Sequence, residues 1–169
     1  GTDLASSGLP SGKELEILEK YRDKLPPALF TQEFKLPVYD SPLAERKNLR
    51  HAIDLLAQAG WTVKDGKLLN AQTGQQFKFE ILGNDSTDEV IGNPYIASLR
   101  KIGIDATLRI VDPSQYVNRV RAYDFDVITS SFSQSNSPGN EQRDFWGSRA
   151  ADAPGSRNLM GIKDPMIDA

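Results

Sequence analysis

The side chains best suited to catalysis are one histidine and a few carboxylates in a chain of 169 residues. His51 could act as a general base, and Asp124 and Asp126 stand two apart, on one face of a predicted strand, as paired catalytic carboxylates would. Glu141 adds a further carboxylate along the chain. A small hydrolase that uses His51 with one of these acids is therefore one hypothesis for the function.

The surroundings of these side chains favour ordinary structural roles. His51 falls beside Lys47 and Asp54 on the polar face of a predicted helix, which indicates a solvated surface histidine. Asp124 and Asp126 begin a strand pattern in the run Tyr-Asp-Phe-Asp, a position typical of a cap and an exposed edge. The hydrolase is therefore the weaker interpretation.

Sequence motifs for nucleotides, metals and disulfides do not occur in the chain. Gly139 and Gly147 are isolated and belong to neither a G-x-G-x-x-G nor a Gly-Lys-Ser/Thr loop, so we expect no nucleotide site. The sequence has no cysteine, which excludes a disulfide framework and a thiolate metal site. We expect no metal and no cofactor.

The charge balance and hydropathy narrow the function classes further. The chain has 20 basic and 23 acidic residues, a formal charge of −3, which argues against nucleic acid as a partner. No apolar run approaches the roughly 18 residues of a membrane helix. The chain lacks an initiator methionine and a secretion signal, so we interpret it as a processed product or an excised piece.

A β-α-β-α-β pattern occupies the stretch from Phe77 to Phe132, and it predicts an α/β fold. Two strands are expected from the alternation of apolar residues around Phe79 and Ile81 and from 104 to 110. A helix over Ser86–Ile102 separates them, and a second helix begins at Asp112 and Pro113. The third strand is predicted over Phe125–Ser130.

The apolar periodicity of these elements predicts which side chains form the core. The first helix of the unit should bury a stripe of Ile91, Tyr95, Leu99 and Ile102, and the second should bury Tyr116, Val117 and Val120. The strand over 104–110 should bury Ile104, Ala106, Leu108 and Ile110. Leu56, Leu99 and Leu108 are the core residues that we expect to matter most for stability.

The part of the chain before this unit is predicted to contain helices, an extended segment and a hairpin. Ser11 and Glu14 have the spacing of a capping box at the start of an amphipathic helix. Residues from Phe30 to Leu43 should be extended, and a helix over Glu45–Ala59 should bury Leu49, Ala52, Ile53, Leu55 and Leu56. The pair Asp65-Gly66 predicts a hairpin turn. We see no boundary inside the chain and expect one domain over residues 1–169.

Ligands of open α/β sheets bind beyond the carboxyl ends of the strands, so the polar loop from Ser131 to Phe145 is the first candidate for a binding site. Trp146 lies next to this loop, and an aromatic ring with one polar tip suits a ligand contact as well as it suits packing. Trp61 directly follows a predicted helix end and is expected in the core.

Four segments resemble the family-5 extracellular solute-binding proteins, the peptide-binding receptors of ABC importers. They are RKNLRHAIDLLAQAGW (46–61), LRKIGIDATLRIVDPSQYVNRVRAYDFDVI (99–128), SPGNEQRDFWGS (137–148) and SRNLMGIKDPMIDA (156–169). The third string is distinctive of the YejA-like subgroup, which is associated with oligopeptide and microcin uptake. The resemblance covers nearly all of the chain but less than half of such a receptor.

This resemblance implies a non-enzymatic receptor of two lobes that close over a peptide outside the cytoplasm. The fold implied is one lobe of a type II periplasmic binding protein, with a mixed sheet and flanking helices. The chain would form most of the carboxyl-side lobe, and the missing amino-terminal lobe would carry the signal peptide. The implied partners are a peptide or peptide-like ligand and the membrane permease of an importer.

The resemblance also implies which loop holds the peptide, and here the sequence departs from the family. In the better-known receptors an aspartate after the third strand pairs with the amino terminus of the peptide. The matching position is near Ser135, which supplies no counter-charge. The ligand-binding residues that we expect are therefore mostly small and polar: Ser130, Phe132, Gln134, Ser135, Asn136, Ser137, Asn140 and Trp146.

A third interpretation is a protein-interaction module, besides the receptor and the hydrolase. An exposed apolar patch is the feature that would favour such a module.

Overall fold

The computed structural model describes residues 7–134, 137 and 139–168, and its contacts form two compact units. The first unit ends at Glu45 and the second begins at Arg46. The expectation of one domain over residues 1–169 stays a prediction. No helix in the described ranges is both long enough and apolar enough to cross a membrane.

The first unit consists of two helices and an extended segment. Helix α1 (Gly12–Glu19) begins after Ser11, and helix α2 (Ala28–Thr31) follows a pair of prolines. The predicted capping box is wrong in one respect, since the Ser11 side chain makes no capping hydrogen bond. Residues 33–39 have no regular secondary structure. The extended segment predicted from Phe30 to Leu43 is wrong at both ends, since α2 reaches Thr31 and the next helix begins at Pro42.

The second unit carries the remaining helices and all the strands of the described residues. Their bounds are α3 (Pro42–Gln58, which begins before the unit), β1 (Trp61–Lys64), β2 (Lys67–Asn70), β3 (Lys78–Gly83), α4 (Ser86–Arg100), β4 (Asp105–Ile110), α5 (Pro113–Arg121), β5 (Val127–Ile128), α6 (Glu141–Trp146), α7 (Ser148–Ala151) and α8 (Pro165–Asp168). This order confirms the predicted β-α-β-α-β unit and the mixed α/β class.

The main sheet is parallel and has the strand order β4-β3-β5. Strand β3 is central, so Ile81 and Leu82 are buried on opposite faces of the sheet. Strand β5 has only two residues, and the prediction of a strand over Phe125–Ser130 is wrong in length. Strand β5 pairs with β3 only at Val127 and Ile128. Asp126, the residue before β5, accepts the Glu80 backbone N–H with its side-chain carboxylate.

Strands β1 and β2 form the predicted hairpin. Asp65 and Gly66 have φ angles of 50° and 73°, the left-handed values that a two-residue type I′ turn requires. Leu68 of this hairpin is fully buried and belongs to the same core cluster as Ile81 and Ile96.

The predicted stripe of the first helix is only partly confirmed: Leu99 and Ile102 contact the core, but Ile91 and Tyr95 of α4 do not. Ile91 and Tyr95 are 51% and 53% exposed, whereas Gly92 and Ile96 are buried. A β-carbon on Gly92 would lie 3.5 Å from the methyl groups of Leu108, so the helix backbone lies close to the sheet at this glycine. Apolar periodicity takes account of apolar side chains only, so it does not identify the glycine that allows the close contact.

Three other predicted core positions are also wrong. Leu55, Val117 and Ile110 are exposed. Leu56, Leu99 and Leu108 pack against the buried cluster, as predicted, although each remains half-buried. Tyr116 and Val120 are half-buried as well.

Truncation of Leu99 tests the helix face that the structure assigns to α4. We expect Leu99→Ala to reduce the free energy of unfolding by about 2 kcal/mol, the lower end for such changes, because the side chain is half-buried. The matched control is Ile91→Ala on the exposed face, with a loss below about 0.5 kcal/mol. Chemical denaturation measures both, and equal losses would contradict the assigned face.

Candidate functional site

The predicted ligand-binding residues lie after β5, in the loop that leads to α6. Ser130, Gln134, Ser137 and Asn140 are exposed, and Phe132 is half-buried. Ser135 and Asn136 lie outside the described residues, so their predicted role stays a prediction.

The structure brings Phe132 and Trp146 together in an aromatic cluster with Phe145. The ring centroids of Phe132 and Phe145 are 5.0 Å apart at 77°, and those of Phe132 and Trp146 are 5.0 Å apart at 38°. Phe145 is fully buried, while Phe132 and Trp146 are half-buried. Edge and tilted contacts of this kind stabilise the arrangement beyond area burial alone. Phe145 therefore anchors two rings that each keep an accessible part.

Trp146 has its polar tip engaged within the protein. Its indole N–H donates to the Gln142 side-chain oxygen over 3.1 Å, one helical turn away in α6. The hydrogen bond turns the Gln142 amide oxygen toward Trp146. A ligand at Trp146 would therefore meet the ring rather than a free donor.

Two open clefts adjoin the aromatic cluster. One, of about 450 Å³, runs beside β5 and is lined by Ser130, Phe132, Leu159 and Met160 among others. The other, of about 790 Å³, is lined by Gln142, Arg143, Trp146 and Arg149 among others. Leu159, Met160 and Gln142 were not predicted as site residues. The i, i+4 spacing of Gln142 and Trp146 was a signal for the last of them.

Glu141 is the first acid within the predicted loop, and its side chain is hydrogen-bonded to the backbone. Its carboxylate accepts the Gly139 N–H at 2.9 Å. This bond, with a further one from its own backbone N–H, lowers the pKa of Glu141 below its ordinary value. Asp144, the next acid, is exposed on α6.

The carboxylates of the hydrolase hypothesis have structural partners. Asp126 accepts the Glu80 backbone N–H at 2.9 Å, and Asp124 pairs with Arg119 at 2.9 Å. Arg119 also binds Glu80 at 3.1 Å. Through Glu80, these contacts hold the residues before β5 against strand β3.

His51 is exposed on α3, as expected for a surface histidine. Over the described ranges, no hydrogen bond joins it to any of these carboxylates, and no group of three or more His, Asp or Glu side chains could hold a metal ion. Asp124 and Asp126, in contrast, line one open cleft together with Glu80 and Arg119.

An exposed apolar surface is present in the first unit. The extended segment and the residues after it carry large apolar side chains that are each more than 60% exposed: Phe34, Leu36, Val38, Tyr39 and Leu43. A surface of this kind is typical of a contact with another protein segment.

A family model described as bacterial extracellular solute-binding proteins, family 5 Middle, matches residues 16–153. Over all 169 residues the chain is 52% identical to a probable peptide-binding protein YejA of Agrobacterium fabrum, of which it covers 28%. It is 38% identical over 156 residues, 92% of its length, to a peptidoglycan-binding protein YepA of the same organism and covers 25% of it. The chain thus spans about a quarter of these relatives.

Among solved structures, the chain is similar to the oligopeptide-binding protein AppA of Bacillus subtilis in complex with a nonapeptide. The identity is 26% and the TM-score is 0.59, over 81% of this chain and 26% of AppA. These similarities confirm the resemblance seen in the four sequence segments. They also confirm the fold class.

Removal of the Glu141 charge tests the hydrogen bond at the start of α6. A carboxylate with a lowered pKa stabilises the fold above its ordinary pKa of 4.5, and the contribution is lost as pH falls through the lowered value. We therefore expect Glu141→Gln to lower the melting temperature at pH 7 and to have little effect near pH 2 or below. Asp144→Asn, with the same charge change, is the control. Equal melting temperatures of the two variants at pH 7 would contradict the prediction.

Proposed function

Because the chain belongs to the bacterial extracellular solute-binding proteins of family 5, we propose that it forms part of a receptor for oligopeptides or peptide-like ligands of an ABC importer. In this proposal it is most of the carboxyl-side lobe, and an amino-terminal lobe completes the cleft. The 28% coverage of the Agrobacterium YejA supports a longer receptor, as does the exposed apolar segment around Phe34. The receptor works in the periplasm and delivers its ligand to a membrane permease.

The observation that carries the proposal is the juxtaposition of an exposed polar loop with the aromatic cluster at the carboxyl end of a parallel sheet. Ser130, Gln134 and Asn140 present small polar groups to solvent, and Trp146 presents a ring. Polar groups of this kind bind the main chain of a peptide, and an aromatic face accepts side chains of many shapes. Closure of the second lobe would bury the peptide.

The proposal describes a binding protein without catalytic turnover. The relatives named above are peptide-binding and peptidoglycan-binding proteins, and Asp124, Asp126 and Glu141 are all engaged by other groups of the chain. Hydrolysis of an ester, peptide or glycoside by the complete receptor, alongside calorimetric binding, would favour the hydrolase instead.

Substitution of Trp146 tests the site in the complete receptor. We expect Trp146→Ala to weaken the binding of an oligopeptide about tenfold or more, because a central aromatic contact is lost. Trp146→Phe should bind within about threefold of the wild type, since the indole N–H already serves Gln142. Trp61→Phe is the control in the hairpin. Isothermal calorimetry with free oligopeptides and with peptides released from peptidoglycan measures the affinities, and unchanged binding by Trp146→Ala would contradict the proposed site.

Acetylation of the peptide tests how the amino terminus of the ligand is held. Ser135 replaces the expected aspartate, and Glu141 is engaged by Gly139. We therefore expect acetylation to cost well under the roughly 1.5–3 kcal/mol of a hydrogen bond to a charged group. Calorimetric titration of the complete receptor with free and acetylated forms of one peptide gives the difference.

A loss of about a hundredfold on acetylation would show that a carboxylate pairs with the amino terminus after all. Glu141→Gln and Asp144→Asn would then identify which of the two acids supplies it.

A further inference from the structure

Asn158 is a fully buried polar residue, with 0% of its surface exposed. Its amide nitrogen donates to the carbonyl oxygens of Gly147 and Ile162 at 3.1 and 3.0 Å, and its oxygen accepts the Ile162 N–H at 3.0 Å. Both amide hydrogens and the oxygen are thus satisfied, as burial of an amide requires. The side chain joins a carboxyl-terminal turn to the residue that directly follows Trp146.

Gly147, the residue that Asn158 holds, has little freedom to adjust. A β-carbon at this position would lie 2.6 Å from the Arg143 carbonyl oxygen, so the chain turns tightly against the end of α6. A displacement of Gly147 would move Trp146 and Phe145 with it. Arg157, the neighbour of Asn158, places its guanidinium 4.2 Å from the centre of the Phe145 ring.

The same turn also holds the chain on the other side of β5. The Tyr123 hydroxyl is 2.8 Å from the Ser156 hydroxyl. It also lies 3.4 Å from the carbonyl oxygens of Ala153 and Asn158, either of which can accept its one proton. Tyr123 has a φ angle of 55°, a left-handed value that is costly for a bulky residue and needs support from its surroundings. Tyr123 lies two residues after the end of α5 and four residues before the start of β5.

Residues 156–158 therefore bind both ends of the stretch that contains β5, the polar loop and the aromatic cluster. We propose that these three residues act as a positioning clamp: Ser156 fixes Tyr123, Asn158 fixes Gly147, and together they hold Phe132 and Trp146 in the geometry that receives the ligand. The proposal rests on the proposed function for its effect on binding. Asn158 is fully buried and bonds Gly147 and Ile162, so it acts through preorganisation of the ligand-facing surface.

The test uses the complete receptor labelled with fluorotryptophan, and each variant is measured for ligand affinity and for the fluorine NMR signal of Trp146. That signal is assigned by its loss in Trp146→Phe. We expect Asn158→Ala and Tyr123→Phe to weaken oligopeptide binding about tenfold and to shift or broaden the Trp146 signal without ligand. Ser156→Ala should do the same, whereas Ser156→Thr, which keeps the hydroxyl, should resemble the wild type.

Leu99→Ala is the matched control, because it destabilises the core away from the clamp. At a temperature where all variants are folded, it should leave both the affinity and the Trp146 signal unchanged. Affinities of Asn158→Ala and Tyr123→Phe within about twofold of the wild type would overturn the proposal, and so would an equal loss in Leu99→Ala. If the wild-type receptor binds no peptide, the proposed function fails, while an unchanged Trp146 signal in the variants would separately refute the clamp.

Discussion

The burial of β3 on both faces is the constraint on which the rest of the second unit depends. Ile81 and Leu82 are 4% and 1% exposed, and the strand is hydrogen-bonded along both edges. A strand that is buried in this way needs helices on its faces and neighbours at its edges. The carboxyl end of β3 therefore determines where β4 and β5 end. The polar loop follows the end of the pairing between β3 and β5.

Because β5 contributes only two residues to the sheet, side chains fix the segments on either side of it. On the amino side, Asp126 binds the Glu80 N–H, and Arg119 joins Glu80 to Asp124. Exposed ion pairs alone stabilise little, but the Asp126 bond takes the place of a strand hydrogen bond at the sheet edge. On the carboxyl side, Phe145 packs against Phe132. Asp124 and Asp126, which look catalytic in the sequence, therefore hold the segment that precedes the short strand β5.

The sequence predicts the order of elements well, because local chemistry determines them. The N-cap at Asp112 accepts the N–H groups of Ser114 and Gln115, and the turn at Asp65-Gly66 has the left-handed angles that the pair predicts. Both features depend on neighbours within a few residues. The type of fold follows from the alternation of such local patterns.

The features that the sequence does not predict depend on contacts between distant residues. The buried face of α4 depends on the approach of Gly92 to Leu108, and the length of β5 depends on its pairing with β3. The sequence predicts Phe132 and Trp146 only as separate residues, because they lie fourteen positions apart and the fold brings them together with Phe145. Asn158 was seen only as part of the family resemblance, and its partner Gly147 lies eleven positions away.

In the proposed receptor, this chain supplies one side of a ligand cleft that a second lobe completes. The most direct test compares the affinity of one oligopeptide for the isolated chain and for the complete receptor by calorimetry. We expect measurable binding by the complete receptor and at least a hundredfold weaker binding by the isolated chain, because much of the surface that buries the ligand belongs to the other lobe. Submicromolar affinity of the isolated chain would contradict the two-lobe account.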